Sequence, residues 1–371
     1  MRTLRVNTSA PYSIYFKTNL LQSTLLYEYG IPANKRIVII TDSNLAPTLG
    51  NTLQQTLTTD GLKVSLFSFP AGEIHKTRET KQQLEDQLLA HHVGRDTCLI
   101  ALGGGVVSDL VGFLAATYCR GVPVIYIPTT LLAMVDASIG GKTGVNTSHG
   151  KNLIGTFTQP HAVFIDTQLL TTLPSTEFRN GVAEMIKHSL IADPALFNLL
   201  DTQVDLIHPH HSDFLSDLVY TNCIIKKNIV ECDETETGLR HILNFGHTIG
   251  HAIEALEQYE ISHGDAVAIG MAVESYISTR CGYLSETDFQ RIQDVIQRYP
   301  FPLMTSAFKH AETFKTQLQL DKKAVQNSAR FVLLHRIGEP HFSNAHTTEV
   351  NPNILDDALH WAASHFDREH P

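Results

Sequence analysis

Short apolar runs alternate with helical periodicity through the first 170 residues of the chain. Many of these runs are rich in β-branched residues, which is typical of strands buried on both faces of a parallel sheet. The predicted strands cover residues 4–6, 12–16, 36–41, 64–69, 97–102 and 122–127. The predicted helices cover residues 45–57 and 78–92, and a further helix follows the glycines at 103–105. The pattern predicts an α/β domain whose mostly parallel sheet is covered by helices, with the first two strands forming a hairpin or an edge.

Helical periodicity dominates the rest of the chain, with one extended segment at residues 330–335. The predicted helices cover residues 177–191, 213–232, 246–257, 264–281, 288–299 and 354–366. The change of pattern predicts two domains, an α/β domain of residues 1–170 and a mainly helical domain of residues 171–371. In proteins of this organisation a ligand usually binds in the cleft between the domains.

Composition narrows the class of protein. The chain has 371 residues, 43% of them hydrophobic and 18% charged, as in globular proteins. Its net charge of -10 argues against non-specific nucleic-acid binding, which needs a basic surface. Five scattered cysteines without a C-x-x-C pair favour reduced thiols. The N-terminus has no signal-peptide pattern, and no apolar run is long enough to span a bilayer. We therefore expect a cytoplasmic enzyme that binds neither nucleic acid nor a membrane.

A histidine-rich segment lies in the helical half. It places His247 and His251 four residues apart, with Glu254 a further three along. On a helix, all three side chains project from nearly the same face. Two imidazoles beside a carboxylate suggest a zinc-type site. A helix with two partly buried histidines, each hydrogen-bonded to neighbours, would produce the same pattern.

Three glycines follow the strand at residues 97–102 and open a helix. Glycines in this position let the backbone approach a phosphate closely, and the N–H groups at the start of the helix can bind an anion. The spacing is neither G-x-G-x-x-G nor that of a P-loop. A tight strand–helix turn would also use glycine. Because the turn follows the carboxyl end of a strand, we predict phosphate or pyrophosphate binding here.

Other polar clusters are less specific. Glycine-rich loops at residues 128–152 carry two lysines, hydroxyls and amides, which favours anion binding over a merely solvated loop. Read alone, Glu184 with Lys187 or His188 is most simply a surface pair. The charged residues 226–240 and 321–323 read as solvated loops or turns.

Taken together, the segments resemble the 3-dehydroquinate synthase family, which catalyses the second step of the shikimate pathway towards chorismate and the aromatic amino acids. The similarity runs in order from about residue 40 to residue 335. The matching residues are Gly72-Glu73 with Lys76, 103–109, 116–121, 128–132, 136–146, 150–155, Ala183-Glu184 with Lys187, Asp233-Glu234 with 238–240, 243–254, His263-Gly264 and 321–323.

The resemblance implies a dinucleotide-binding α/β domain followed by a helical metal-binding domain, with bound NAD, one divalent metal and a homodimer. The metal would be zinc, with cobalt as the alternative. The substrate would be the sugar phosphate 3-deoxy-D-arabino-heptulosonate 7-phosphate, which is converted to 3-dehydroquinate and phosphate. A secondary alcohol is oxidised by NAD, phosphate leaves by elimination, the hydride is returned, and the ring opens and closes as an intramolecular aldol.

The resemblance also implies roles for individual residues. The metal ligands would be Glu184, His247 and His263. NAD would contact Asp42, Glu73, Lys76, Gly104, Gly105, Val106, Asp109, Thr129, Thr130, Asp136, Lys142, Lys151, Leu169 and Thr172. The substrate phosphate would contact Lys142, Asn152, His251, one of Lys322 and Lys323, and Arg120 of the neighbouring subunit. The substrate carboxylate would contact Lys226, Arg240 and Asn244, and Lys187 would be a further catalytic residue.

This assignment separates the two histidines of the H-x-x-x-H pattern. His247 stays with the metal, whereas His251 moves to the substrate phosphate and to proton handling, with Glu254 behind it. Three positions depart from the family pattern: Ile74 and His75 near the cofactor loop, and Asp265, where glutamate is usual. We expect these three departures to change the affinity for ligands and to leave the reaction unchanged.

Three other functions fit parts of the sequence. A related sugar phosphate cyclase making an inosose or a valiolone would share the fold, NAD and the metal, but Lys226, Arg240 and Asn244 favour a substrate with a carboxylate. A metal-dependent polyol dehydrogenase would share the architecture and accumulate NADH. A non-catalytic nucleotide sensor would not need the cofactor, metal and substrate residues together.

Overall fold

The apolar runs of the first half form a seven-stranded sheet in the computed structural model, which describes residues 1–22, 26–32, 35–320, 329–342 and 346–367. The strands of this half are β1 (Arg2–Val6), β2 (Tyr12–Phe16), β3 (Arg36–Asp42), β4 (Val64–Phe69), β5 (Thr97–Gly103), β6 (Val124–Pro128), β7 (Lys142–Thr147), β8 (Gly150–Phe157) and β9 (Ala162–Ile165). The order across the sheet is β1-β2-β9-β6-β5-β3-β4. The β1–β2 pair at the edge is antiparallel and the other pairs are parallel, which confirms the predicted mostly parallel sheet.

The strands form here because both of their faces are covered. Successive side chains of a strand point to opposite faces of the sheet, and Ile37 to Ile40 are all buried. Ile37 and Ile39 pack in a core with Ile100 of β5 and Phe164 of β9. A continuous β-branched run is therefore a strand in the middle of the sheet, as predicted from the sequence.

Eleven α-helices lie within the described residues. They are α1 (Asn51–Thr59), α2 (Arg78–Ala90), α3 (Gly105–Thr117), α4 (Ser175–Ala192), α5 (Pro194–Thr202), α6 (Ser212–Cys232), α7 (His247–Leu256), α8 (His263–Arg280), α9 (Glu286–Arg298), α10 (Ala311–Leu320) and α11 (Pro352–Phe366). Helices α5 and α10 and strand β9 were not anticipated from the sequence. None of the helices in the described part of the chain combines the length and apolarity needed to cross a membrane.

The chain divides into two compact units. The first contains Met1–Leu173 and His208–Thr235, and the second contains Pro174–Ile207 and Glu236–Pro371. Helix α6 thus belongs to the first unit, although the division at residue 170 grouped it with the helical half. It is held there by polar contacts, since Cys223 Sγ lies 3.4 Å from the Met134 carbonyl oxygen and Lys226 Nζ lies 2.6 Å from Asp136 Oδ1. The functional division into residues 1–170 and 171–371 stays a prediction.

The glycine-rich stretch after β6 is an ordered hairpin, whereas the sequence suggested loops. Strands β7 and β8 pair antiparallel, with Gly144 opposite Gly155. A Cβ atom on Gly155 would lie 1.9 Å from the carbonyl oxygen of Thr143, so the two backbones approach too closely for any side chain at this position. Glycine therefore serves the close pairing of the strands here.

Helix α8 is the centre of the second unit, and its neighbours include α4, α7, α9 and α11. Small residues let α7 approach it closely. A Cβ atom on Gly270 would lie 1.9 Å from the carbonyl oxygen of Gly246, and one on Gly250 would lie 3.2 Å from that of Ala266. This contact fixes the starts of both helices, which are His247 and His263.

Helix α4 runs unbroken through Asn180-Gly181, which the sequence left as an uncertain start. Asn180 Oδ1 accepts a hydrogen bond from the Gly264 N–H at 2.8 Å, which ties α4 to the start of α8.

The extended segment predicted at residues 330–335 corresponds to two short strands, β10 (Arg330–Phe331) and β11 (Leu334–Arg336). Two more short strands follow within the described residues, β12 (Glu339–Pro340) and β13 (Thr348–Glu349).

Candidate metal and cofactor sites

Three helices of the second unit bring one carboxylate and two imidazoles together. Glu184 lies on α4, and His247 and His263 are the first residues of α7 and α8. Their ligand atoms lie within 4.8 Å of one another. Oε1 of Glu184 lies 3.3 Å from Nε2 of His247 and 3.4 Å from Nε2 of His263. Ligand atoms about 2.1 Å from a tetrahedral metal are about 3.4 Å apart, so these side chains have the spacing of a zinc-type site.

The carboxylate of Glu184 also has the chemistry of a metal ligand. Both of its oxygens are buried without a hydrogen bond of normal geometry, although Lys187 forms an ion pair with Oε2. Burial acts to raise the pKa of Glu184, but the positive charge of Lys187 and the contacts with the two histidines outweigh it and hold the pKa well below its ordinary value. Glu184 and Lys187 are 1% and 2% exposed, so their interpretation as a surface pair is wrong.

His247 presents one ring nitrogen to this carboxylate. Its Nδ1 lies 3.1 Å from the carbonyl oxygen of Phe245. Because a carbonyl oxygen only accepts hydrogen bonds, Nδ1 carries the proton and Nε2 is left bare. Burial lowers the pKa of His247 to about 3, against the opposing charge of Glu184. A neutral imidazole with a bare nitrogen is the form that binds a metal.

His263 lies between two carboxylates. Its Nε2 faces Glu184, and its Nδ1 lies 3.5 Å from Oε1 of Glu254. Burial acts to lower the pKa of His263, but Glu254 and Glu184 together raise it to about 10. A carboxylate on the second nitrogen is the usual arrangement for a metal-binding histidine, because it fixes the orientation of the ring. The sequence suggested that Glu254 supports His251, and the contact with His263 was not anticipated.

His251 lies one turn after His247 on α7. Its ring centroid is 5.3 Å from that of His247 and 6.4 Å from that of His263. Ring distances do not separate the two pairs, but within the described residues the group around His247 whose ligand atoms lie within 4.8 Å of one another consists of His247, Glu184 and His263, the set that the family resemblance implied. His251 is half-buried beside this group.

The first unit contains a second cluster of charged residues. Lys76 Nζ lies 2.5 Å from Oδ2 of Asp109, close to the start of α3. Burial acts to lower the pKa of Lys76, but Asp109 and Glu73 outweigh it and the net shift is upward. Burial raises the pKa of Asp109 in spite of Lys76. Glu73 accepts a hydrogen bond at 2.7 Å from Asn146 on β7. The structure thus brings three predicted NAD contacts, which are Glu73, Lys76 and Asp109, to one place beside the hairpin.

The glycine turn before α3 packs against the end of β6. The N–H of Thr129 donates to the carbonyl oxygen of Gly103 at 3.0 Å. A Cβ atom on Gly104 would lie 2.9 Å from Cγ2 of Thr130, and one on Gly103 would lie 2.4 Å from Cγ2 of Val107. The turn thus needs glycine for packing as well, and it places four predicted NAD contacts together, which are Gly104, Gly105, Thr129 and Thr130.

The charged residues 226–240 are only partly a solvated loop, because residues 233–238 form half-buried or exposed turns while Lys226 and Arg240 are buried, in contrast to the simplest interpretation of the sequence. Lys226 is buried on α6 and its Nζ lies 2.6 Å from both Oδ1 and the carbonyl oxygen of Asp136. In the second unit, Arg240 is 1% exposed. Asn244 donates a hydrogen bond to Oε1 of Glu236 at 3.3 Å.

The remaining predicted residues lie at chain turns and strand ends. Asp42 ends β3, where Oδ1 accepts the N–H of Asn44 at 2.8 Å. Arg120 is exposed and has a left-handed backbone (φ 66°). The β7–β8 hairpin carries Lys142, Lys151 and Asn152. The first turn of α3 carries Val106, and the short helix Thr167–Thr172 carries Leu169 and Thr172. Lys322 and Lys323 lie outside the described residues.

Comparisons with known proteins identify the family of the chain. Sequence profiles described as 3-dehydroquinate synthase N-terminal and 3-dehydroquinate synthase C-terminal match residues 66–180 and 181–324. A 3-dehydroquinate synthase from Acidithiobacillus ferrooxidans is 42% identical over 362 residues, which cover 97% of this chain and 98% of the relative. The chain belongs to the 3-dehydroquinate synthase family.

Solved structures of other sugar phosphate cyclases share the fold. A 2-deoxy-scyllo-inosose synthase complexed with carbaglucose-6-phosphate, NAD+ and Co2+ has a TM-score of 0.85 and 26% identity, covering 96% of this chain and 99% of the other. The 2-epi-5-epi-valiolone synthase from Streptomyces hygroscopicus with NAD+ and Zn2+ bound has a TM-score of 0.85 and 28% identity, covering 97% of this chain and 99% of the other.

The three departures from the family pattern lie at different depths. Ile74 is 81% exposed and His75 is half-buried on the turn before Lys76. Asp265 is buried in the first turn of α8, where its Oδ2 accepts a hydrogen bond from Ser262 Oγ at 2.6 Å and its Oδ1 lies 3.4 Å from Arg179 Nε. The aspartate therefore helps to hold the start of α8, which carries His263.

Proposed function

We propose that the protein is an NAD- and zinc-dependent 3-dehydroquinate synthase. It converts 3-deoxy-D-arabino-heptulosonate 7-phosphate to 3-dehydroquinate with release of phosphate, which makes it a carbon–oxygen lyase. Family membership over nearly the whole chain supports this activity. The observation that carries the metal dependence is the group formed by Glu184, His247 and His263, whose spacing and ligand types fit a zinc ion.

The metal and the cofactor have separate roles in this proposal. Bound NAD would accept and return the hydride, and bound zinc would polarise substrate oxygens as a Lewis acid. Glu184, His247 and His263 would hold the metal, and three protein ligands leave positions open for the substrate. Cobalt is the alternative metal, since one related cyclase contains Co2+ and another contains Zn2+.

NAD would bind in the first unit at the carboxyl ends of β3, β5 and β6. The glycine turn before α3 offers backbone N–H groups at a helix start, where a pyrophosphate is favoured. The buried pair of Lys76 and Asp109 lies next to it and would fix the orientation of the neighbouring groups. The NAD+ in two related cyclases supports this role for the cofactor contacts predicted from the sequence.

The substrate has two anionic ends, which require separate cationic groups. In the first unit, Lys142 and Asn152 would bind the phosphate and Lys226 the carboxylate. In the second unit, His251 would bind the phosphate and Arg240 and Asn244 the carboxylate. A guanidinium as deeply buried as that of Arg240 is suited to a carboxylate, because two parallel N–H bonds to its oxygens strengthen as water is excluded.

The homodimer is part of the proposal. The left-handed backbone at Cys119, Arg120 and Gly121 (φ 50°, 66° and 113°) presents Arg120 on an exposed turn. We assign this side chain to the substrate phosphate of the neighbouring subunit. All five cysteines are free thiols, which supports a reducing compartment and hence the cytoplasm.

The test is a direct assay. The purified protein is supplied with the heptulosonate phosphate, catalytic NAD and zinc, and both phosphate and NADH are followed. Phosphate should be released over many turnovers of NAD with no net NADH. Phosphate release no greater than in the metal-free control contradicts the proposal. Accumulation of NADH would indicate a polyol dehydrogenase. In a parallel assay with glucose 6-phosphate as the substrate, phosphate release there but not from the heptulosonate phosphate would indicate a different cyclase.

A further inference from the structure

Helix α7 begins at His247 without a side-chain cap from its own preceding residue. The first N–H groups of a helix have no partner within the helix and need an external acceptor. Here the acceptor is Glu274 on α8. Its Oε2 accepts from the N–H of Gly246 at 2.7 Å, and its Oε1 accepts from the N–H of Ile249 at 3.3 Å. The side chain of Glu274 is fully buried.

One peptide group joins this carboxylate to the metal ligand. The N–H of Gly246 and the carbonyl of Phe245 belong to the same peptide unit. Its N–H donates to Glu274, and its carbonyl oxygen accepts from Nδ1 of His247 at 3.1 Å. Hydrogen bonds in such a chain polarise one another, so a carboxylate at one end makes the carbonyl a better acceptor at the other. A stronger bond at Nδ1 increases the basicity of Nε2 towards a metal.

The backbone around this peptide has little room to shift. Gly246 has a left-handed conformation (φ 78°), and a Cβ atom on it would lie 2.5 Å from Cγ of Met271. Gly270 on α8 lies against the carbonyl oxygen of Gly246, which belongs to the next peptide along the chain. The orientation of the 245–246 peptide therefore depends on α8, and Glu274 is the α8 side chain that bonds to it.

We infer that Glu274 is a positioning residue for the metal ligand His247, acting through the Phe245–Gly246 peptide. The inference rests on the metal centre of the proposed function. In this assignment Glu274 is not a ligand of the metal. It fixes the peptide that holds the His247 ring and keeps Nε2 directed towards Glu184. Zinc affinity should therefore depend on a carboxylate that is one peptide group away from the ligand.

The test compares Glu274→Gln with the wild-type protein. Glutamine has the same size but a single acceptor oxygen, so it cannot serve both Gly246 and Ile249. The zinc dissociation constant, measured by competition with a chromophoric chelator, should rise about tenfold, at the lower end of the effect of outer residues on metal affinity. The visible spectrum of the cobalt-substituted protein should shift, while the metal-free protein keeps its circular dichroism.

Glu257→Gln is the matched control. Glu257 also receives backbone and hydroxyl hydrogen bonds in the second unit, from the Ser306 N–H at 2.6 Å and from Thr305 Oγ1 at 2.5 Å. This variant should keep the zinc affinity of the wild type. A Glu274→Gln affinity within twofold of the wild type, or an equal loss in Glu257→Gln, overturns the inference.

Two further measurements cover a variant that fails to fold. Glu274→Asp keeps the charge but shortens the side chain by one methylene, and it should also weaken zinc binding. In the wild-type protein, hydrogen exchange should show a protected Gly246 amide, and rapid exchange at this amide contradicts the inference without any substitution. A wild-type protein that binds no zinc would contradict the metal centre itself, whereas normal wild-type binding with unchanged Glu274 variants contradicts only the role of Glu274.

Discussion

Oε1 of Glu184 faces Nε2 of His247 at 3.3 Å, with the two side chains projecting from different helices of the second unit. An anionic oxygen and a bare imidazole nitrogen both offer lone pairs, and neither can donate to the other. A cation bound to both resolves this arrangement. The pair is therefore the most direct point at which to test the metal centre.

The two histidines of α7 should differ in what they lose on substitution. His247→Ala removes a proposed metal ligand, and the zinc affinity should fall by more than about 100-fold, beyond the effect of losing an outer residue. His251→Ala should keep its zinc, while turnover falls by about 100-fold because the group proposed for proton handling is lost. Zinc content after dialysis and the rate of phosphate release distinguish the two. Equal zinc loss in both variants would restore the H-x-x-x-H pair as the metal site.

The buried pair of Lys187 and Glu184 should be costly to break. Lys187→Met leaves the Glu184 carboxylate with the two imidazoles but without its ammonium partner, and the metal-free protein should lose about 3 kcal/mol of unfolding free energy. Zinc supplies a new positive charge, so it should raise the unfolding temperature more in the variant than in the wild type. The control is Lys81→Met, which breaks a more exposed pair with Glu85 and should cost less than about 1 kcal/mol. Similar losses in the two variants would argue against the buried pair.

The glycine pairing in the β7–β8 hairpin should be required for folding of this region. Gly155→Ala forces a Cβ atom against the Thr143 carbonyl oxygen and should destabilise the protein by about 3 kcal/mol in urea unfolding. Phosphate release should fall as well, because Lys142 and Asn152 lie on the hairpin. Gly50→Ala is a milder change, since its Cβ would meet the flexible side chain of Leu66 at 3.3 Å. Unaltered stability in Gly155→Ala would mean that the two strands are not so closely paired.

Thiol reactivity should follow burial. Burial raises the pKa of Cys98 to about 12 and also raises the pKa of Cys223. At pH 8, both side chains therefore have a smaller thiolate fraction than an ordinary cysteine. Cys232 is exposed. A thiol reagent at pH 8 should therefore label Cys232 first and leave Cys98 and Cys223 unlabelled until the protein is denatured. Mass spectrometry of the labelled peptides measures the order, and early labelling of Cys223 would contradict the packing of α6 in the first unit.

The sequence predicted those parts of the fold that depend on local periodicity. Strands β3 to β6 and most of the long helices were identified because apolar spacing reports burial directly. The β7–β8 hairpin was missed because its Gly, Thr and Lys residues are typical of loops, and its stability depends on pairing between strands. The unit to which α6 belongs depends on contacts with Met134 and Asp136, which periodicity does not reveal.

The candidate sites show a similar division. The residues of the metal group were named from the family resemblance, whereas spacing alone suggested His247 with His251. Charged side chains are rarely buried, which is why Glu184 with Lys187 and the segment containing Lys226 and Arg240 were first interpreted as surface features. The contacts of Glu254 and Glu274 join residues on different helices, and a single sequence gives no signal for them.

The close contact of α7 with α8 has an electrostatic consequence. Both helices begin at a residue of the metal group, so two helix N-termini converge there. Each carries the equivalent of about half a positive charge. The carboxylate of Glu274 offsets this potential at the start of α7, Asp265 does so in the first turn of α8, and Glu184 adds a further negative charge beside the imidazoles. The acidic side chains at the two helix starts therefore make this place favourable to a cation, as the proposed metal site requires.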